Sequence, residues 1–235
     1  MIILAIDSSG GACSCALWQD RQIIAQSLLQ NGLTHSVNLM PMLENMLSSC
    51  GVELYQVDYI ACVTGPGSFT GVRIGVSAAR AMSAAAEKPC IAINSLEALA
   101  QRSFNGTICP MLDARRSQVY CAAFNGGEGR ERLLNDEALS VDDFILAVKK
   151  LPPPYFFTGS GAVVHSELIK QAFKADDSAI IAAENESYVC AAAAAVLAAK
   201  NTQGAISRHE LFPYYLRASQ AEREYEQRHG KRHGK

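Results

Sequence analysis

The sequence predicts an α/β protein made of two like lobes, and three observations carry that prediction. Apolar residues make up 49% of the 235-residue chain and charged residues 19%, the balance of a folded globular protein. Short apolar runs ending at Asp7 and at Asp113, 106 positions apart, each open a stretch that reads strand, Asp, turn, strand, turn, strand. Each triple is followed by a helical segment, a further strand, a glycine turn and another helix, so each half reads β-β-β-α-β-α. The seam falls at 104–107. This gives a first lobe of residues 1–104 and a second of 105–218, whose end is free to pack back on the first. A charged tail, 219–235, closes the chain.

In chain order, residues 2–7 are an apolar strand followed by the small-residue turn Ser8-Ser9-Gly10-Gly11. Residues 12–18 and 23–29 are the next two strands, and Cys13 and Cys15 alternate with Ser14 so that both thiols share one face. A helix is expected over 34–50, where Leu39, Met40, Leu43, Met46, Leu47 and Cys50 recur at helical spacing. Met42 and Met46 suggest a second apolar face, suited to an adaptable interface. Pro41 either starts the regular helix or kinks it. A strand over 59–63 leads into GPGSFTGVRIG, Gly65 to Gly75, and an Ala-rich helix over 67–86; a strand at 90–93 and a helix over 95–104 follow. The second half repeats strands at 108–113, 118–124 and near 132–134, a helix over 141–150, a strand at 155–158, Gly159-Ser160-Gly161 and a helix over 164–173. Residues 188–200 read as a buried Ala-rich helix.

Composition also excludes function classes. A formal net charge of -2 gives no global pull toward nucleic acid or an acidic membrane. No run is long and apolar enough for a transmembrane helix, and the N-terminus lacks the basic region of a signal peptide. Eight cysteines without a C-x-x-C pair are expected to be reduced, buried thiols, and the compartment is expected to be the cytoplasm. The sequons at Asn105 and Asn185 are then chance matches. The tail, ending in Arg-His-Gly-Lys written twice, is expected to be a solvated end.

The GPGSFTGVRIG stretch carries the most information. Gly67, Gly71 and Gly75, continued by Ala79 and Ser83, fall four apart on one helix face, a comb along which another backbone can approach. Arg73 and Arg80 are the only charges between Thr64 and Ala86 and project from one side. The spacing matches neither the dinucleotide fingerprint nor a P-loop, yet a strand leading into a helix N-terminus still offers N–H groups to an anion. Gly65, Gly67 and Ser68 are therefore candidate nucleotide contacts, while Ser68 and Thr70 are equally suited to cap the helix. Asp7 with Ser8 and Ser9 is placed as the first phosphate loop is in actin-like ATPases and sugar kinases, and the glycine turn at Gly159 and Gly161 offers further candidate nucleotide contacts. The second copy instead reads Asp113-Ala114-Arg115-Arg116, which suits Asp113 to a turn or cap. The histidines at 35, 165, 209, 229 and 233 form no metal-binding pair within one element, and no G-x-S-x-G elbow occurs; metal and hydrolase chemistry are disfavoured.

Ile6-Asp7-Ser8-Ser9, Thr34-His35-Ser36 with Met40-Pro41, GPGSFTGVRIG, Asp113-Ala114-Arg115 and Tyr215-Leu216-Arg217 together resemble the TsaB (YeaZ) family, over nearly the whole chain. The resemblance implies an ASKHA (actin-like ATPase and sugar kinase) fold of two ribonuclease-H-like lobes. It implies a subunit needed for threonylcarbamoylation of adenosine 37 in tRNAs reading ANN codons, working as partner of the paralogous transferase TsaD. Expected with it are a TsaE-type ATPase in that assembly, a homodimer when the chain is alone, and contact with tRNA through the complex. TsaD-like enzymes carry an H-x-x-x-H pair for their metal. His35 here has Leu39 four residues ahead and Asn31 four behind, so the chain resembles a non-catalytic lobe pair. No cofactor is expected on it, with ATP and metal on the partner subunits. The docking face is expected on the first-lobe helices, at His35, Met40, Leu43, Met46, Leu47, Phe69, Gly71, Val72, Arg73, Gly75, Val76, Ala79 and Arg80. Three rival functions are an ATP-binding kinase or ATPase of the same fold using Asp7 and the glycine turns, a glycoprotease-type hydrolase, which the missing nucleophile and metal patterns disfavour, and a self-sufficient homodimer with a regulatory role.

Overall fold

The first strand, β1 (Ile2–Asp7), is apolar at every position before its terminal Asp and buried from Ile3 onward, which fits a central strand covered on both faces. The computed structural model describes residues 1–217 apart from Glu128 and Asp176, so the 219–235 tail lies outside the described residues. Beside β1 run antiparallel β2 (Cys13–Gln19) and β3 (Gln22–Leu29); on its other side lie parallel β4 (Tyr59–Gly65) and β5 (Cys90–Asn94). The sheet order is β3-β2-β1-β4-β5. The second half builds β6 (Thr107–Asp113), β7 (Gln118–Asn125), β8 (Arg132–Ser140), β9 (Tyr155–Thr158) and β10 (Ala179–Ile181), ordered β8-β7-β6-β9-β10. Position for position this is the first sheet again, with the same directions. The duplication read from the sequence is a duplication of topology, in two mixed sheets flanked by helices.

Alternation along the strands sends side chains to two cores. Leu4, Ile6, Cys13, Cys15 and Leu17 face α1 (His35–Cys50) and α2 (Phe69–Ala86). Ile3, Ala5, Ala16 and Ala61 face the other way, onto Ala191, Ala194, Ala195 and Ala198 of α7 (Ala191–Lys200). The alanines let that helix lie close, and Ile108, Leu112 and Phe124 of the second sheet join the same cluster. The outer face of the second sheet is covered by α4 (Val141–Val148), α5 (Ser160–Val164) and α6 (Ser166–Ala172), around Phe144, Phe157 and Ile169. All eight cysteines are free thiols. Among the described residues no helix is long and apolar enough to cross a membrane.

Several local expectations change. Pro41 neither starts nor breaks α1, which runs unbroken from His35. The carbonyl it leaves without a helical donor belongs to Val37, an exposed residue on the outer side of the helix. The helix expected over 95–104, α3 (Ser95–Leu99), ends early. Arg130 Nη2 takes the Arg102 carbonyl and Phe104 packs on Phe156, and these tertiary contacts draw the chain off the helix. The helix expected over 164–173 starts at Ser160 and breaks at His165. Strand β8 is longer than its apolar run, and the three-residue β10, within the apolar run 179–183, was not expected.

Beyond α7 the chain turns back as a strap over 205–217, broken by a turn at 208–210. Ile206 and Cys90 exchange both backbone hydrogen bonds, extending the β5 edge. Leu211 is fully buried in the α1–α2 core, and the Tyr214 N–H donates to the Thr64 carbonyl at 2.7 Å.

Candidate functional site

The turn after β1 is closed on all sides. The Ser9 N–H donates to Asp7 Oδ1 at 2.9 Å, whereas Asp7 Oδ2 is buried with no hydrogen-bond partner. Burial pushes the Asp7 carboxyl up to about 6, and the neighbouring Ser9 and Ser8 with the nearby His35 draw it only part of the way back. The Ser8 hydroxyl donates to the Gly71 carbonyl at 2.8 Å, the Ser68 N–H to the Ser9 carbonyl at 2.7 Å, and His35 Nε2 lies 2.9 Å from the Gly10 carbonyl oxygen. The first residue of α1 and the N-terminus of α2 thus clamp one turn between them.

This corrects the reading of the glycine comb. A Cβ at Gly67 or Gly71 would collide with the Ser9 or Ser8 carbonyl oxygen, and one at Gly75 would overlap the Ser8 hydroxyl. The backbone that approaches the comb is the chain's own. Gly71, Val72, Gly75, Val76 and Ala79 are buried, as are Leu43 and Met46 of α1, so these expected interface residues belong to the internal core. Substituting the glycines would test folding rather than docking.

The nucleotide contacts change with it. Asp7, Ser8 and Ser9 are buried beneath α2. Gly65 is backed by the Tyr214 carbonyl, and Gly159 and Gly161 pack on the Met111 carbonyl. Ser68 caps α2, its Oγ accepting the Gly71 N–H at 3.2 Å. Beside that turn, between the lobes, lies a cavity of ≈ 200 Å³ bordered by Gly10, Leu112, Ser160 and Tyr188. That is smaller than the roughly 300–1,000 Å³ of small-molecule sites. Asp113 serves as the turn residue it was expected to be, Oδ1 accepting the Arg115 N–H at 2.9 Å. Arg115, Arg116 and Ser117 all hold left-handed φ (62°, 55°, 55°), filling the place where a phosphate loop would need glycine. Among the described residues no three His, Cys, Asp or Glu side chains converge as a metal site would require.

The outward side of α1 and α2 is a different surface. Between the helices runs a shallow groove of ≈ 450 Å³ lined by Ser36, Met40, Thr70, Arg73, Ile74 and Ala78. Past Met40 it continues into a second hollow that includes Glu44, Leu47 and Leu54. Met40 is 50% exposed, and Val37 and Leu33 continue the apolar strip beyond it. Of the expected interface residues, Met40, Leu47 and Arg73 line this surface, the largely buried Leu43 floors its second hollow, and His35 is the neighbour of Ser36 at the groove's end. Thr70, Ile74 and Ala78 were missed, although they carry their own spacing of four, one residue before the comb. Arg73 and Arg80 turn to the strap: Arg80 lies 5.6 Å from the Phe212 ring centre, and Arg73 Nε donates to the Tyr215 hydroxyl at 2.9 Å. Phe69 stacks on Tyr215, so it too is engaged within the chain. Nothing in local spacing pairs residues 69–80 with residues 212–215.

The chain matches the family described as TsaD, tRNA N6-adenosine threonylcarbamoyltransferase, over residues 30–225. It is 32% identical over 225 residues to the tRNA threonylcarbamoyladenosine biosynthesis protein TsaB of Bacillus subtilis (strain 168), spanning 94% of this chain and 96% of that protein. Among solved structures, YeaZ from Pseudomonas aeruginosa superposes with a TM-score of 0.72 at 26% identity, covering 92% of this chain and 99% of that one. The ROK hexokinase from Thermus thermophilus shares the fold, with a TM-score of 0.51 at 12% identity over 86% of this chain and all (100%) of the other.

Proposed function

Since this chain belongs to the TsaB (YeaZ) family of tRNA threonylcarbamoyladenosine biosynthesis proteins, we propose that it works there as a non-catalytic subunit. It docks a TsaD-type transferase through the outward groove of α1 and α2 and supports threonylcarbamoyl transfer to adenosine 37 of tRNAs reading ANN codons. The observation that carries this reading is the apolar groove through the exposed Met40 and the half-buried Ile74, set beside a phosphate-loop region already filled by its own backbone. An apolar surface kept outside a completed core is what a helix-pair interface requires. The Ser8–Gly71 and Ser68–Ser9 bonds tie α2 to the turn after β1, and the His35–Gly10 contact ties α1 to the same turn, so the face is formed before the partner arrives.

In this reading ATP and metal belong to the partner subunits, a TsaE-type ATPase joins the assembly, tRNA is met through the complex, and the chain alone pairs with itself. The setting is the cytoplasm. The test is reconstitution of threonylcarbamoyladenosine formation with and without this chain. Product formation should depend on it; equal product without it sinks the reading. Met40→Asp places a charge in the groove without touching the core. It should lower both partner capture and product formation by roughly tenfold or more while the melting temperature stays unchanged.

A further inference from the structure

Arg73 stands at the rim of the groove in a fixed posture. Its Nε–H donates to the Tyr215 hydroxyl at 2.9 Å, and its guanidinium carbon lies 4.0 Å from the centre of the Phe69 ring. Phe69 in turn stacks on Tyr215, centroids 4.3 Å apart and planes inclined by 19°. Phe69 belongs to the same helix, one turn earlier, whereas Tyr215 is brought in by the strap from 142 residues away. Leu211 and the Tyr214 N–H anchor the strap on either side of Phe212.

A guanidinium carries five N–H donors. One is engaged by Tyr215, and among the described residues the terminal nitrogens meet no acceptor in hydrogen-bonding range. The groove walls supply the hydroxyls of Ser36, Thr70 and Ser77 but no carboxylate; Glu44 lies in the neighbouring hollow, past Met40. A protein docking here strips water from Arg73. A desolvated guanidinium with no counter-charge opposes the very association that buries it. A planar fork held by two rings and one hydrogen bond loses little further freedom on binding and matches a carboxylate in bidentate geometry.

We propose that Arg73 is a preformed receptor for a carboxylate on the docked protein, and that Tyr215 is the positioning residue that aims it. The inference rests on the docking face proposed above and adds the chemistry of its recognition. The face is polarised, cation at the Arg73 end and carboxylate at the Glu44 end, so the partner presents an acidic group to the first and fixes the register of the two chains.

The test is a titration of the intact chain with its TsaD-type partner at several salt concentrations. Variants are Arg73→Met, Arg73→Lys, Tyr215→Phe and Met40→Asp, with melting temperatures as fold controls. Arg73→Met should weaken binding by about 30-fold or more and flatten its salt dependence. Arg73→Lys should recover only part of the loss, and Tyr215→Phe should cost about 3- to 10-fold with the fold intact. Changing one acidic partner residue to its amide should reproduce the Arg73→Met loss and add nothing further in combination with it. Arg73→Met binding within about twofold of wild type, while Met40→Asp fails, overturns the receptor and leaves the docking face standing. An Arg73→Met defect that appears only when nucleotide or RNA is present also overturns it, assigning the fork to phosphate instead. Normal binding by Met40→Asp removes the docking face itself, and the receptor with it.

Discussion

Asp7 shows what one residue can hold when no water reaches it. Its carboxyl sits at the end of β1 with one donor and one unpartnered oxygen, and burial raises its pKa from 3.8 to about 6. The folded chain therefore binds this proton more tightly than the unfolded chain, and folding takes up a proton between about pH 4 and pH 6. Stability associated with Asp7 is fully present below pH 3.8 and is lost as pH rises through 6. At neutral pH the buried charge costs on the order of 3 kcal/mol, from about two pKa units. Asp7→Asn removes that cost. It should raise the melting temperature at pH 7.5 and leave it nearly unchanged at pH 4; an equal shift at both pH values would show that charge is not the cause. The sequence marked Asp7 by its place at a strand end but read it as a ligand contact. Its burial depends on α2 lying across the turn, a contact between positions 8–9 and 67–75 that no local pattern encodes.

At the scale of elements, α2 carries two stripes with the same spacing of four. Gly67, Gly71, Gly75 and Ala79 form one, and Thr70, Ile74 and Ala78 the other. Both are legible in the sequence, and the first is the more conspicuous. The fold turns the glycines inward because the Ser8–Ser9 backbone needs room that no side chain can leave, so the second stripe meets solvent. The strap is the element that the sequence hid most completely. It has no periodicity, only Phe212, Tyr214 and Tyr215 near Pro213, and its course is decided by Ile206 pairing with Cys90 and by Leu211 entering the core. Leu211→Ala should cost about 2–5 kcal/mol of unfolding free energy by urea titration, the usual range for a fully buried leucine. A change below about 0.5 kcal/mol, as at exposed sites, would show that the strap is not bound through this residue.

For the whole molecule, the decisive contact is α7 on the first sheet. Ile3, Ala5, Ala16 and Ala61 have no cover from the first half of the chain other than the short α3 region, and the alanines of α7 supply it. A fragment of residues 1–104 should therefore fail to fold: circular dichroism should show no cooperative melt, whereas the full chain melts cooperatively. A cooperative melt of the fragment would show that the first sheet is stable with one face bare. The lobes are further joined where Arg132 of β8 meets Asp136 and Glu97, with Asn94 donating to the same Asp136.

The sequence by itself determined the α/β class, the duplicated strand order, the helices at α1 and α2, the turn role of Asp113 and the family. Each rests on periodicity, on turn chemistry or on short motifs, all of which act within a few tens of residues. Tertiary structure alone decided that the comb faces Ser8, that Asp7 is sealed, that α7 completes the first sheet, and that Tyr215 holds Arg73. Those contacts join positions 60 to 190 residues apart. Helix periodicity shows that a face is apolar or smooth; what covers that face is settled only by which distant segment packs against it.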